Sequence, residues 1–167
     1  MATYEAIATV TVGSGGAANI EFTSIPGTYT DLAVYFSVRN SAGVIDTNIQ
    51  FNGSTANLSD RYLYGTGSTV ASGSSASSIE MIGMTKSTWT ANTFGNVFIY
   101  IPNYTSSNNK SISVDSVNEN NDTEAYAMLT AGLWSNSAAI TSIKLLPASA
   151  SNFVEHSTAA LYGIKNS

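Results

Sequence analysis

Cysteine is absent from the 167 residues. No disulfide framework and no thiolate metal site can therefore be built. Histidine occurs once, as His156. With one imidazole and no thiol, the usual ligand sets for zinc and copper are missing. The same scarcity bears on nucleophilic catalysis. Ser157 follows His156 directly, which does not aim its hydroxyl at the ring, and no Gly-x-Ser-x-Gly elbow occurs. His156 is expected to be an exposed loop residue.

Charge is also scarce. Asp, Glu, Lys and Arg make up 10% of the chain, against about 25% in an average soluble protein. Six basic residues face eleven acidic ones, for a net charge of −5, and the basic ones are scattered. A phosphate-binding surface needs clustered Lys and Arg, so nucleic acid is not an expected partner. No apolar run reaches the roughly 18 residues that a membrane helix needs. The opening Met1-Ala-Thr-Tyr-Glu-Ala has neither the cationic nor the apolar stretch of a signal peptide, so synthesis and folding in the cytoplasm are expected.

Ser, Thr and Asn stand where charge is missing. Thr favours strands, while Ser, Asn and Gly favour turns. A hydroxyl costs far less to bury than a charge, so such a surface suits packing into an assembly.

Alternation of apolar and polar residues runs through the chain with no sustained helical period. Residues 4–12 put Ala6, Ala8, Val10 and Val12 on one face. A short strand over 19–25 ends at Pro26-Gly27. Residues 31–39 put Leu32, Val34, Phe36 and Val38 on one face and Ala33, Tyr35, Ser37 and Arg39 on the other. Thr47–Phe51 ends in Asn52-Gly53, a strong tight-turn dipeptide. Asp60–Tyr64 forms a short strand or edge. Gly65–Ser78, nearly all Gly, Ser, Thr and Ala, reads as a long flexible loop.

Strands resume at Ile79–Met84 and Gly95–Ile101. The latter is apolar on both faces, with Val97, Ile99 and Ile101 opposite Phe98 and Tyr100, as befits a covered central strand or a subunit interface. Lys110–Val117 and Glu124–Trp134 pair as a hairpin around Asn118–Asp122, with a bulge expected at Gly132. Strands within Ile140–Pro147 and Ser157–Lys165 close the chain, with Ile143, Leu145, Ala160, Tyr162 and Ile164 pointing inward. The expectation is one all-β domain over residues 1–167. It would be an antiparallel sandwich of about eight to ten strands with little or no helix, most simply a jelly roll of two four-stranded sheets plus extras.

Few residues invite chemistry. Asp115, Glu119, Asp122 and Glu124 are the one acidic cluster, and oxygen ligands so spaced could hold Ca²⁺. They lack the Asp-x-Asp-x-Asp-Gly rhythm, and ordinary turn chemistry accounts for them. No catalytic residue, cofactor or resident metal is expected. Aromatics are better candidates for contact. Trp89 lies in a polar run and suits sugar stacking or a protein interface, together with Tyr62, Tyr64, Phe98, Tyr100 and Tyr104. Trp134, ending a strand, suits the core or an interface. Ser149, Asn152 and His156, in the turn before the last strand, and the Gly65–Ser78 loop complete the expected contact surface.

Several stretches carry a resemblance when read in order: Ile25-Pro-Gly-Thr-Tyr-Thr-Asp-Leu32; Arg39 followed by Asp46 and Ile49-Gln-Phe-Asn52; Ala131-Gly-Leu-Trp134; Ile140-Thr-Ser-Ile143; and Phe153 through Ser157-Thr-Ala-Ala-Leu-Tyr-Gly-Ile164. Together they resemble small structural proteins of tailed bacteriophages. The resemblance implies a non-enzymatic virion component made in the host cytoplasm. A capsid decoration (cement) protein that binds and stabilises the coat shell is the first expectation. A tail fibre, nozzle or baseplate component is the alternative within that class, and a carbohydrate-binding module the alternative outside it. Phage coat or tail proteins would be its partners. A homo-oligomer is expected, a trimer being compatible, and a host-surface glycan is a further candidate ligand.

Overall fold

The computed structural model describes residues 1–166, which hold twelve strands and no helix. They are β1 (Thr3–Thr11), β2 (Ile20–Phe22), β3 (Asp31–Val38), β4 (Asp46–Phe51), β5 (Leu58–Gly65), β6 (Val70–Gly73), β7 (Glu80–Ile82), β8 (Gly95–Ile101), β9 (Lys110–Val117), β10 (Ala127–Trp134), β11 (Ile143–Pro147) and β12 (Thr158–Lys165). One sheet has eight strands in the order β1-β12-β3-β8-β9-β10-β5-β6, and the other has four, β2-β11-β4-β7. All pairings within them are antiparallel. The fold is a β-sandwich with one apolar core shared by the two sheets.

Four pairs nest inside one another: β1 with β12, β2 with β11, β3 with β8, and β4 with β7. Successive pairs alternate between the sheets. These eight strands make two four-stranded layers, β1-β12-β3-β8 over β2-β11-β4-β7. The remaining four, β9, β10, β5 and β6, all extend the first layer. The asymmetry of eight strands over four follows from where these two hairpins join.

Local chemistry explains the joints. Asn52 and Gly53 both have positive φ, 52° and 70°, as a tight type I′ turn requires. The Asn52 side chain then pins a distant segment: its Oδ1 accepts from the Thr141 and Ser142 amides and its Nδ2 donates to the Ala139 carbonyl. The core is filled by the inward faces of β3 (Leu32, Val34, Phe36, Val38), β8 (Val97, Ile99, Ile101) and β11 (Ile143, Leu145), as alternation predicts. Phe51 packs on Trp134 with ring centroids 5.5 Å apart. Trp134 is therefore a core residue.

Four expectations are corrected. Gly65–Ser78 is not one flexible loop: Val70–Gly73 forms β6, paired with Tyr62–Gly65 of β5. Buried Asp60 holds the segment beyond it, accepting from the Ser75 amide at 2.6 Å and the Glu80 amide at 2.8 Å. In β1 the register shifts between Ala6 and Ala8, so Ile7 is a bulge and Ala6 does not share a face with Ala8 and Val10. No shift occurs at Gly132, whose pairing with Asp60 and Ile112 is regular; its missing side chain instead makes room for Ile79. In β12 the inward residues are Ala159 and Leu161, while Ala160 and Tyr162 face outward, half-buried, and Ile164 is buried but stands apart from the core cluster.

Candidate functional site: an uncovered sheet face and an aromatic row

Residues directly opposite one another in antiparallel strands share a face. Following register across the large sheet traces one outward row: Leu63, Leu129, Asp115, Phe98, Tyr35, Ala160 and Thr9. The row beside it holds Gly65, Ala127, Val117, Asn96, Ser37, Thr158 and Thr11. On the other side run Arg61, Ala131, Ser113, Tyr100, Ala33, Tyr162 and Ala6. Among these residues only Arg61 and Asp115 carry charge. The small sheet covers the opposite face, and among the described residues no third sheet or helix lies over this one.

The apolar side chains left in solvent are concentrated here. Apart from Met1, the exposed large hydrophobic residues are Tyr4, Tyr35, Leu63, Val70, Val117 and Leu129, and register places all six on this face. Tyr35 is 45% exposed and Leu129 51%. Small residues between large ones hollow the surface. A groove of about 410 Å³ runs over Ser37 and Ala160 between Tyr35, Phe98 and Val117. A second, of about 440 Å³, lies between Arg61, Leu63, Ser113 and Leu129.

Aromatic packing stiffens one side. Tyr35 meets Phe98 at 4.7 Å and Tyr162 edge-on at 5.8 Å. The Tyr100 hydroxyl donates to the buried Asp31 carboxylate at 2.9 Å. Partial burial pushes the phenols of Tyr35 and Tyr100 above their ordinary range; Tyr4 and Tyr162 add to the first shift and the bond to Asp31 to the second. Both remain neutral hydrogen-bonding groups at physiological pH.

A second constellation lies on the opposite face, where β5 passes the edge strand β7. Tyr62, Tyr64, Tyr126 and Trp89 form a row with centroid separations of 6.3, 5.8 and 6.3 Å. Tyr62, Tyr64 and Tyr126 are half-buried. Gly73 makes this possible, because a Cβ there would meet the Tyr62 ring at 2.5 Å. Lys86 sits 4.8 Å from the Trp89 ring centroid and pairs with Glu124 at 2.5 Å. Asp46 and Glu80 lie beside the row. Burial, then the Glu80 charge, raises the Asp46 carboxyl above its ordinary range, with Lys86 opposing. Both carboxylates in turn help raise Tyr62, after burial as the main cause.

The residues singled out from sequence fall in different places. Trp89 is only 6% exposed and stacks on Tyr126, so its expected role as an exposed contact is corrected. Arg39 is the reason: its guanidinium donates to the carbonyls of Ser87, Trp89, Thr90 and Thr93, folding the polar loop over the indole. Tyr104 is fully buried, its hydroxyl donating to the Pro26 carbonyl, and is also no contact residue. Phe98 and Tyr100 do line the uncovered face. Ser149, Asn152 and His156 are exposed, in a connection anchored by fully buried Phe153.

The acidic cluster is not gathered. Asp115 stands mid-sheet on the uncovered face. Glu119 accepts from the Asn121 amide, Asp122 from the Thr123 amide, and Glu124 pairs with Lys86. Among the described residues no group of three or more acidic or imidazole side chains could hold a metal ion.

Sequence reading missed Leu63, Val117, Leu129 and Tyr162 as surface residues. The signal for Leu63 and Val117 was present, since each is the apolar member of a strand's polar face, whereas Leu129 lies in a strand that is apolar at both parities. No protein-family model matches the chain, and no curated protein matches it significantly.

Proposed function

We propose that this chain is a non-enzymatic accessory structural protein of a tailed-phage virion, a capsid decoration protein that seats on the coat shell through the uncovered face of its large sheet. The nested pairs are read as a jelly roll, and the added β9-β10 and β5-β6 hairpins as the device that widens one layer into a docking surface. The observation that carries the reading is that all six exposed large apolar residues beyond Met1 share this one face. Soluble monomers rarely leave a broad apolar surface uncovered without a partner for it. Its neutral hydroxyls and amides are cheap to desolvate. The ordered motifs that resemble tailed-phage structural proteins supply the identity of the partner.

Mechanistically, such a protein binds the assembled shell and not the dissociated coat subunit. It therefore stabilises the shell by mass action, in proportion to RT ln(1 + [L]/Kd). The test is the copy number and position of the protein in purified particles. Decoration requires copies in a fixed ratio to coat subunits and labelling over the head. A handful of copies at one vertex or along the tail would favour the tail-component reading instead. Absence from particles would sink both.

A further inference from the structure

We propose that Tyr62, Tyr64 and Tyr126, with the carboxylates of Asp46 and Glu80, form a binding site for an uncharged oligosaccharide, on the side of the sandwich away from the docking face. This goes beyond the virion reading and stands or falls without it.

Three half-buried phenol rings lie in a row, 6.3 and 5.8 Å apart, as an extended ligand would require. Aromatic faces suit the C–H surfaces of a pyranose, and the phenol oxygens and carboxylates suit its hydroxyl rim. The rings are held: Tyr62 lies over Gly73, and Tyr126 stacks at 25° on buried Trp89. Preorganised rings lose little freedom on binding.

The acidic groups identify the class. Asp46 is half-buried, yet its side chain accepts no hydrogen bond and makes no ion pair among the described residues. Glu80 accepts from the Ser78 hydroxyl through one oxygen only. Both carboxylates thus keep solvent-facing oxygens that can accept from the hydroxyl donors of a ligand. Lys86 is engaged by Glu124 and Trp89, which leaves the local charge negative. Anionic polysaccharides are repelled, and hydroxyl donors of a neutral sugar are the matching partner.

The purified full chain is titrated with maltohexaose, cellohexaose and mannohexaose, with polygalacturonate and choline in parallel. Trp89 emission is the reporter where Tyr126 is present, since the two stack, and the heat of binding reports on Tyr126→Ala. Saturable binding of at least one neutral hexasaccharide is expected, weakened about 10-fold in Tyr126→Ala and in Tyr64→Ala. Tyr64→Phe keeps the ring and retains most of the affinity. Thermal unfolding of each variant separates lost binding from lost folding. Asp46→Asn, which keeps shape and removes charge, weakens the neutral sugar several-fold. Failure of all three hexasaccharides to bind overturns the proposal. So does tighter binding of polygalacturonate, or binding of choline with no sugar, which would make the row a cation cage.

Discussion

Arg39 and Trp89 are fifty residues apart in sequence and joined in the fold, the Arg39 Nη2 donating to the Trp89 carbonyl at 3.0 Å. Nη1 reaches the Thr90 and Thr93 carbonyls at 2.8 and 3.0 Å, so one guanidinium organises the whole loop. Five planar donors fit such a ring of carbonyls, and an ammonium does not. Arg39→Met is expected to cost about 1–3 kcal/mol, because the buried Trp89 carbonyl and the part-buried carbonyls of Ser87, Thr90 and Thr93 lose their partner. Arg39→Lys recovers only part of it. In both variants Trp89 emission shifts to the red in the folded protein as the loop opens. An unshifted spectrum at unchanged stability would show that the loop does not depend on Arg39.

Gly163 faces the Tyr29 ring so closely that an added Cβ would lie 2.3 Å from its Cγ. Tyr29 is itself fixed, its amide donating to the Tyr104 hydroxyl at 3.4 Å and Lys165 lying 5.3 Å from its ring. Gly163→Ala therefore overpacks the junction of β12 with the turn before β3. A loss of about 1–3 kcal/mol is expected in thermal or urea unfolding. Gly43→Ala, with open space around it, serves as the comparison and stays within about 0.5 kcal/mol.

What alternation could say about this fold, it said well. Leu32, Val34, Phe36 and Val38 face the core as their spacing requires, and β8, β9 and β10 sit where apolar periodicity puts them. Three features lay outside its reach for physical reasons. Val70, 84% exposed, gives β6 no apolar face; pairing with β5 creates that strand, and Asp60 holds the segment that follows it. Ala159-Ala160-Leu161-Tyr162 is apolar at both parities, so no pattern chooses the inner face. Trp89 is buried by an arginine from a distant strand, and local polarity carries no trace of that. The uncovered face was half legible: Phe98 and Tyr100 stood out, while its continuation over Leu129 and Leu63 needed the strand order.

That continuation can be tested without disturbing the fold. Leu129 is exposed, so Leu129→Arg is expected to change stability by no more than about 0.5 kcal/mol, whereas Tyr35→Arg also removes the packing on Phe98 and Tyr162 and is expected to cost about 1–2 kcal/mol while the protein stays folded. Binding to heads that lack the protein should weaken at least 10-fold in each, and further in the double variant. Unimpaired head binding in the double variant would show that coat contact uses another surface. A mass change of the free wild-type protein, lost in the variants, would reveal that the same face also pairs copies of this chain.

Asp46 gives the sharpest separation of stability from recognition. Burial and the Glu80 charge both raise its carboxyl, so the folded state holds this proton to higher pH than the unfolded chain does. The sign follows from linkage. The ionised group weakens the fold above the folded-state pKa, and the penalty fades as pH falls through the window down to the unfolded value. Asp46→Asn should thus raise the melting temperature at neutral pH, with the gain gone by about pH 3, below the ordinary aspartate range. The same substitution should weaken binding of the neutral hexasaccharide, because an acceptor for sugar hydroxyls is lost. A carboxylate that costs stability and supplies affinity is the pattern of a site kept for its ligand. If Asp46→Asn stabilises the protein and leaves sugar affinity intact, the carboxylate is a structural burden only and the site must exclude it.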